Sequence, residues 1–164
     1  MNPIHDLLQT MADRKLTLGS VESMTGGDFA SAITAIPGAS HVYKGGIVAY
    51  SKEVKSNVVG VDPAIIEKYD VVSSQVAREL AIGGKKALGV DVCVSVTGNA
   101  GPDAEEGKAK VGDFFLGLAY QNSVYVLPVH FDGDRAQIRK SAVSTMTSFI
   151  ASLFQNRVEE SPKK

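Results

Sequence analysis

The run from Val90 to Val96 limits the fold of this chain more than any other stretch. It reads Val-Asp-Val-Cys-Val-Ser-Val, nearly continuous in β-branched and apolar residues, as expected for a strand buried on both faces. Such a strand needs a layer above it and a layer below it, and the flanking sequence supplies both. Ile4, Leu7, Leu8 and Met11 recur at helical spacing and predict a helix to about Lys15. A strand follows over Leu16 to Val21, and then a helix marked by Phe29, Ile33 and Ile36 and stopped by Pro37-Gly38. Gly45 to Tyr50 reads as a strand. Ser51 caps a short helix with Val54, Val58 and Val59 on one face. Asp62-Pro63 opens another helix, and Ser73 or Ser74 caps a longer one reaching about Leu88. After the Val90 run, Val111 to Tyr120 and Val124 to Phe131 form two strands around Gln121-Asn122-Ser123, a hairpin. Polar residues from Glu105 to Lys110 form an exposed loop before it. Asp132-Gly133-Asp134-Arg135 opens the last helix, and residues from about 158 to 164 are expected to fray. Helices interleaved with strands, broken by one hairpin, predict an α/β fold: a three-layer α/β/α sandwich on a mixed, mostly parallel β-sheet, with 1–164 as a single domain.

Charge excludes several classes of partner. The chain carries 17 basic and 18 acidic residues, so no basic excess points to nucleic acid and no basic amphipathic face points to a membrane. No apolar run reaches the ~18 residues of a membrane span. The first helix carries Asp6 and Asp13, which is wrong for a secretory signal. A cytoplasmic protein with a small-molecule partner is the expectation. The single cysteine, Cys93, rules out an intrachain disulfide and a Cys-rich zinc site and reads as core packing. His5, His41 and His130 share no metal-ligand spacing, so no metal is expected.

The chemistry concentrates in Val21-Glu22-Ser23-Met24-Thr25-Gly26-Gly27. This places a hydroxyl at the tip of a strand, before two glycines and a helix start, where backbone can approach a ligand and negative charge is favoured. Three further polar clusters lie at strand ends or helix starts: Tyr50-Ser51 with Lys55, Thr97 to Asp103, and Gly133-Asp134-Arg135 with Arg139. Ligands of open α/β sheets bind outside the carboxyl ends of strands, so one crevice could hold the first three. A serine hydroxyl needs a base. No Gly-x-Ser-x-Gly elbow is present and no histidine is placed to serve, but a buried lysine loses its charge readily. Lys55 is the candidate, five residues past Tyr50. Each residue also has a plain structural reading: Ser23 as a helix cap, Tyr50 as a strand-end aromatic, Lys55 as a solvated helix lysine. Thr97 and Gly98 could simply belong to a turn, or hold substrate or a developing oxyanion. Arg135 and Arg139 share a helix face and could form surface ion pairs or grip a phosphate bidentately.

Taken in order, these clusters resemble the C-terminal domain of the competence/damage-inducible CinA family, which includes nicotinamide mononucleotide deamidases. Glu22-Ser23-x-Thr25-Gly26-Gly27 is similar to the family's Glu-Ser-Cys-Thr-Gly-Gly. Tyr50-Ser51-x-Glu53-x-Lys55, followed by Val59-Gly60-Val61, resembles its Tyr-Ser-Asn-x-x-Lys…Leu-Gly-Val. Val72-Ser73 and Ala81-Ile82-Gly83 fit the helix after it. Thr97-Gly98-x-Ala100-Gly101-Pro102-Asp103 resembles its Ser/Thr-Gly-x-Ala-Gly-Pro-x loop, and Val111-Gly112 and Gly133-Asp134-Arg135 complete a match from about Leu16 to Phe154. The resemblance implies hydrolysis of nicotinamide mononucleotide to nicotinate mononucleotide and ammonia. It implies Ser23 as nucleophile, Lys55 and Tyr50 as its assistants, and Thr97 as a substrate- or intermediate-stabilising residue. It implies an arginine on the substrate, Arg135 first and Arg139 second. It also implies a homo-oligomer of two or more chains and no cofactor. Backbone N–H groups around Thr25, Gly26 and Gly27, or Thr97, would hold the oxyanion. The family's N-terminal domain is not in this sequence, which implies a unit acting alone or through assembly. Met24 stands where the family has cysteine, Asn99 replaces an aliphatic residue, and Ala104-Glu105-Glu106-Gly107 departs from the glycine-rich form. These departures keep open a non-catalytic nucleotide-binding or regulatory module of the same fold.

Overall fold

The computed structural model describes residues 2–104 and 108–160, and gives only the backbone of 156–160. Helix α1 (Pro3–Asp13) leads into strand β1 (Leu18–Glu22), α2 (Asp28–Thr34), a 3-10 turn (Ala39–His41) and β2 (Tyr43–Val48). Then come α3 (Lys52–Asn57), α4 (Pro63–Tyr69), α5 (Ser74–Leu88), β3 (Val92–Gly98), the hairpin β4 (Asp113–Tyr120) and β5 (Ser123–His130), and α6 (Arg135–Glu160). The caps are those the sequence encodes. Ser51 Oγ accepts from the Val54 N–H, Asp62 Oδ1 from Ala64, and Ser73 rather than Ser74 accepts from Val76. Of the expected tail, 158–160 continue α6 and 161–164 lie outside the described residues. Residues 105–107, half of the expected Glu105–Lys110 loop and part of the Ala104–Gly107 segment, also lie outside them.

The five strands lie in the order β2-β1-β3-β4-β5. β1 pairs parallel with β2 and with β3, while β3–β4 and β4–β5 are antiparallel. The sheet is therefore mixed, as expected, but evenly so and not mostly parallel. Among the described residues no helix lies between β3 and β4, and β5 returns through a tight turn, so these strands pair antiparallel instead of through helical crossovers. Helix α5 covers one face of the sheet, while α1, α2 and α6 cover the other. Val92 to Val96 of β3 are fully buried between the two layers, as their composition predicts. Burial pushes the Cys93 thiol up to about 12, in keeping with a packing role. Among the described residues no helix is long and apolar enough to cross a membrane.

Because β1, β2 and β3 run parallel, their carboxyl ends, at Glu22, Val48 and Gly98, open on one edge of the sheet. β1 is followed by β2 on one side and its other neighbour β3 by β4 on the opposite side, so the connections leave these two carboxyl ends in opposite directions. A crevice at such a strand-order switch is where open α/β sheets bind ligands.

Candidate active site

At the end of β1, Ser23 enters a turn that reverses the chain into α2. The turn needs two left-handed residues, and Gly26 (φ 59°) and Gly27 (φ 105°) supply them. Glu22 holds the turn together. Its buried side chain accepts from the Thr25 hydroxyl at 2.7 Å and from the N–H groups of Gly27, Phe29 and Ala30 at 3.2, 2.9 and 3.0 Å. These are the free donors of a helix N-terminus. The Gly26 N–H is spent on the Ser23 carbonyl. The N–H groups of Gly26 and Gly27 are thus committed within the protein. The expectation that they hold an oxyanion is corrected on that ground. Thr25 is fully buried with its hydroxyl on Glu22, and it shapes the turn instead of facing a ligand.

Lys55 reaches Ser23 from α3. Its Nζ lies 3.0 Å from Ser23 Oγ and donates to the Ala49 carbonyl at 2.7 Å. At 2% exposure it is not a solvated helix lysine. No acidic partner accompanies it among the described ion pairs, and burial alone pulls its pKa from the ordinary 10.5 down to about 8. A neutral amine beside a serine hydroxyl can accept its proton.

The pair opens onto a crevice of about 610 Å³, also lined by Tyr50, Lys52, Asp70, Thr97, Arg135 and Lys108. This volume lies within the range of small-ligand sites. Tyr50 lies past the end of β2 and is 64% exposed. Its hydroxyl accepts from Arg135 Nη2 at 3.4 Å, while Lys55 meets Ser23 directly. The serine–lysine contact therefore needs no relay through tyrosine. Arg135 also donates from Nη1 to the Gly101 carbonyl at 2.6 Å, and so ties the loop after β3 to the start of α6. Arg139 does not line the crevice. It binds Asp28 Oδ2 and the Thr25 carbonyl, both at 3.0 Å, and clamps the Ser23 turn from outside. The Thr97 hydroxyl is spent as well, donating to the Val71 carbonyl at 2.7 Å. Gly98 is a packing position, since a Cβ there would meet Phe114 and the Met24 sulfur. Met24 itself is buried in the core beneath the crevice. Asn99 folds its own loop, accepting from the Gly101 N–H at 2.9 Å and donating to the Asp103 and Ala109 carbonyls.

Four residues of the site carry no role in the sequence reading: Glu22 as an internal cap, and Lys52, Asp70 and Lys108 as crevice wall. Glu22 precedes its helix by six positions, too far for a capping pattern. The other three sit in polar stretches like any surface charge. Among the described residues no group of His, Cys, Asp and Glu could hold a metal ion.

The profile of the CinA C-terminal domain matches residues 2–154. A CinA-like protein of Geobacter sp. (strain M21) is 40% identical over 142 residues, 87% of this chain and 34% of that protein. A CinA-like protein of Thermotoga maritima is 38% identical over 133 residues, 81% of this chain and 32% of that protein. The crystal structure of a competence-damaged protein (CinA) superfamily protein from Escherichia coli superposes with a TM-score of 0.90 at 29% identity, covering 93% of this chain and 88% of that one. The chain spans about a third of the length of the curated relatives it matches.

Proposed function

The chain belongs to the CinA C-terminal domain family, and we propose that its crevice hydrolyses the carboxamide of nicotinamide mononucleotide to nicotinate mononucleotide and ammonia. One observation carries the reading: a buried lysine amine 3.0 Å from the hydroxyl of Ser23, with no acidic partner among the described residues. A structural lysine would keep its charge in water or beside a carboxylate. This one is arranged to lose it.

In the proposed reaction neutral Lys55 takes the Ser23 proton as Oγ attacks the carboxamide carbon. The ammonium so formed protonates the leaving nitrogen, the C–N bond breaks, and ammonia departs. Lys55, neutral again, takes a proton from water as the water oxygen attacks the acyl ester. That proton returns to Ser23 Oγ as the acid is released. Ala49 holds the amine in place through both steps. Tyr50 accepts from Arg135, so its own proton remains available for the developing oxyanion. Arg135, on the crevice wall with Lys52, offers the cationic end that a phosphate needs. The resemblance further implies a homo-oligomer, and a sedimentation mass of two or more chains is the expected result.

Ammonia release from nicotinamide mononucleotide tests the reading. Ser23→Ala should abolish it while the circular dichroism and melting curve stay those of the parent. Undiminished release by that variant sinks the proposal. Binding of the mononucleotide without turnover by the unaltered chain would leave a non-catalytic nucleotide-binding module.

A further inference from the structure

Asp70 has a backbone conformation that side chains avoid. It ends α4 at φ 74° and ψ 161°, a region populated almost only by glycine. Three hydrogen bonds hold it there. The Asp70 N–H donates to the Ile66 carbonyl at 2.8 Å, and the Ser73 hydroxyl donates to the Asp70 carbonyl at 2.9 Å. One residue on, the Val71 carbonyl takes the hydroxyl of Thr97 from the end of β3. Strain that is fixed from three sides at a ligand crevice points to a role for the side chain it presents. That side chain lines the crevice of Ser23 and Lys55 and is three-quarters buried, with Oδ1 3.4 Å from Lys108 Nζ. With its charge balanced by Lys108, it offers acceptor positions without repelling an anionic ligand.

We propose that Asp70 is a specificity-determining residue that accepts hydrogen bonds from the vicinal hydroxyls of a ribosyl group. Thr97 acts as the positioning residue that holds its segment against the crevice. The proposal rests on the reading of a nucleotide amide as substrate and adds what distinguishes the sugar. A mononucleotide presents three chemistries, and the crevice has a counterpart for each: Ser23 with Lys55 for the amide, Arg135 for the phosphate, and Asp70 for the hydroxyl donors between them. Carboxylates are common partners of ribose hydroxyls, because an ionised carboxylate can only accept.

Calorimetric binding in the Ser23→Ala background separates recognition from turnover. The probes are nicotinamide mononucleotide and its 2′,3′-dideoxy analogue. The Asp70-containing protein should prefer the ribosyl form by about tenfold or more, since removing a hydroxyl leaves a desolvated acceptor unpaired. Asp70→Gly should bring the two Kd values within about twofold of each other. The same variant should melt at least as high as its parent, because glycine is at ease at this φ and ψ. Asp70→Asn, which keeps an acceptor oxygen, should retain part of the preference. Asp103→Ala, which removes another crevice carboxyl, should leave the preference intact. An unchanged preference in Asp70→Gly, or its loss in Asp103→Ala instead, overturns the proposal. If the preference depends on Asp70 but the Ser23-containing protein releases no ammonia, only the amidase reading fails. If ammonia is released without any preference for the ribosyl form, only the Asp70 proposal fails. No binding of the mononucleotide overturns both.

Discussion

Lys55 is the residue on which the chemistry turns, and its environment fixes a sign. The amine is the base only when uncharged, and its pKa is about 8. Activity should therefore rise by about tenfold per pH unit below that value and level off above it. A kcat/KM profile for ammonia release between pH 6 and 10 checks this. An activity that falls across the range would assign the base elsewhere. Tyr50 permits a second measurement. If its hydroxyl stabilises the oxyanion, Tyr50→Phe should lower kcat by about 100-fold with little change in KM. The pairing of Ser23 with Lys55 was open to reading from the local motifs, because a nucleophile without histidine needs another base. The roles of Thr25, Thr97 and Arg139 were not. A hydroxyl or guanidinium near a motif has the same sequence signature whether it faces a ligand or a carbonyl of its own chain, and these three face Glu22, Val71 and the Thr25–Asp28 turn.

At the scale of elements, helix and strand types follow the expected pattern, and the boundaries shift by one or two residues. β2 starts at Tyr43 and ends at Val48, so Tyr50 falls in the connection and not in the strand. That displacement sets Tyr50 on the crevice rim instead of in the core. The start of α2 is the element most exposed to damage. It lacks a side-chain cap of its own at Gly27 and depends on Glu22 from the preceding strand. Glu22→Gln replaces one acceptor oxygen with a donor facing N–H groups, and should cost about 1–3 kcal/mol of stability. It should also loosen the Ser23 turn and lower kcat. Urea unfolding alongside ammonia release reads both effects, and a variant unchanged in stability would remove Glu22 from its capping role. A strand-to-helix cap of this kind leaves no local trace, because β1 and α2 come together only when both pack on the sheet.

For the molecule as a whole, the buried amine couples stability to pH. The folded chain releases the Lys55 proton at about 8, and an exposed lysine does so at 10.5. Between those values the unfolded chain holds one more proton than the folded chain, so stability rises with pH across this window. Below about pH 8 the folded protein bears the full penalty of a buried charge. The shift amounts to about 3 kcal/mol. In Lys55→Met this dependence should vanish. Denaturant titrations at pH 7.5 and 10.5 should show the parent gaining on the variant by about that amount, and an equal response in both would mean that Lys55 is hydrated in solution. What the sequence alone determined were the features set by near neighbours: element type from apolar period, helix starts at Ser51 and Asp62 and at one of Ser73 or Ser74, the sandwich implied by a strand buried on both faces, and the residues able to do serine–lysine chemistry. What only the tertiary structure decided were the features set by distance and solvent. They include the even balance of parallel and antiparallel pairing, the burial that lowers the pKa of Lys55, and the carbonyls that claim Thr97 and Arg139. They also include the strained backbone that turns Asp70 into the crevice. Periodicity and caps act over a few residues. A dry contact between positions 23 and 55, or 71 and 97, exists only once the layers have closed around it.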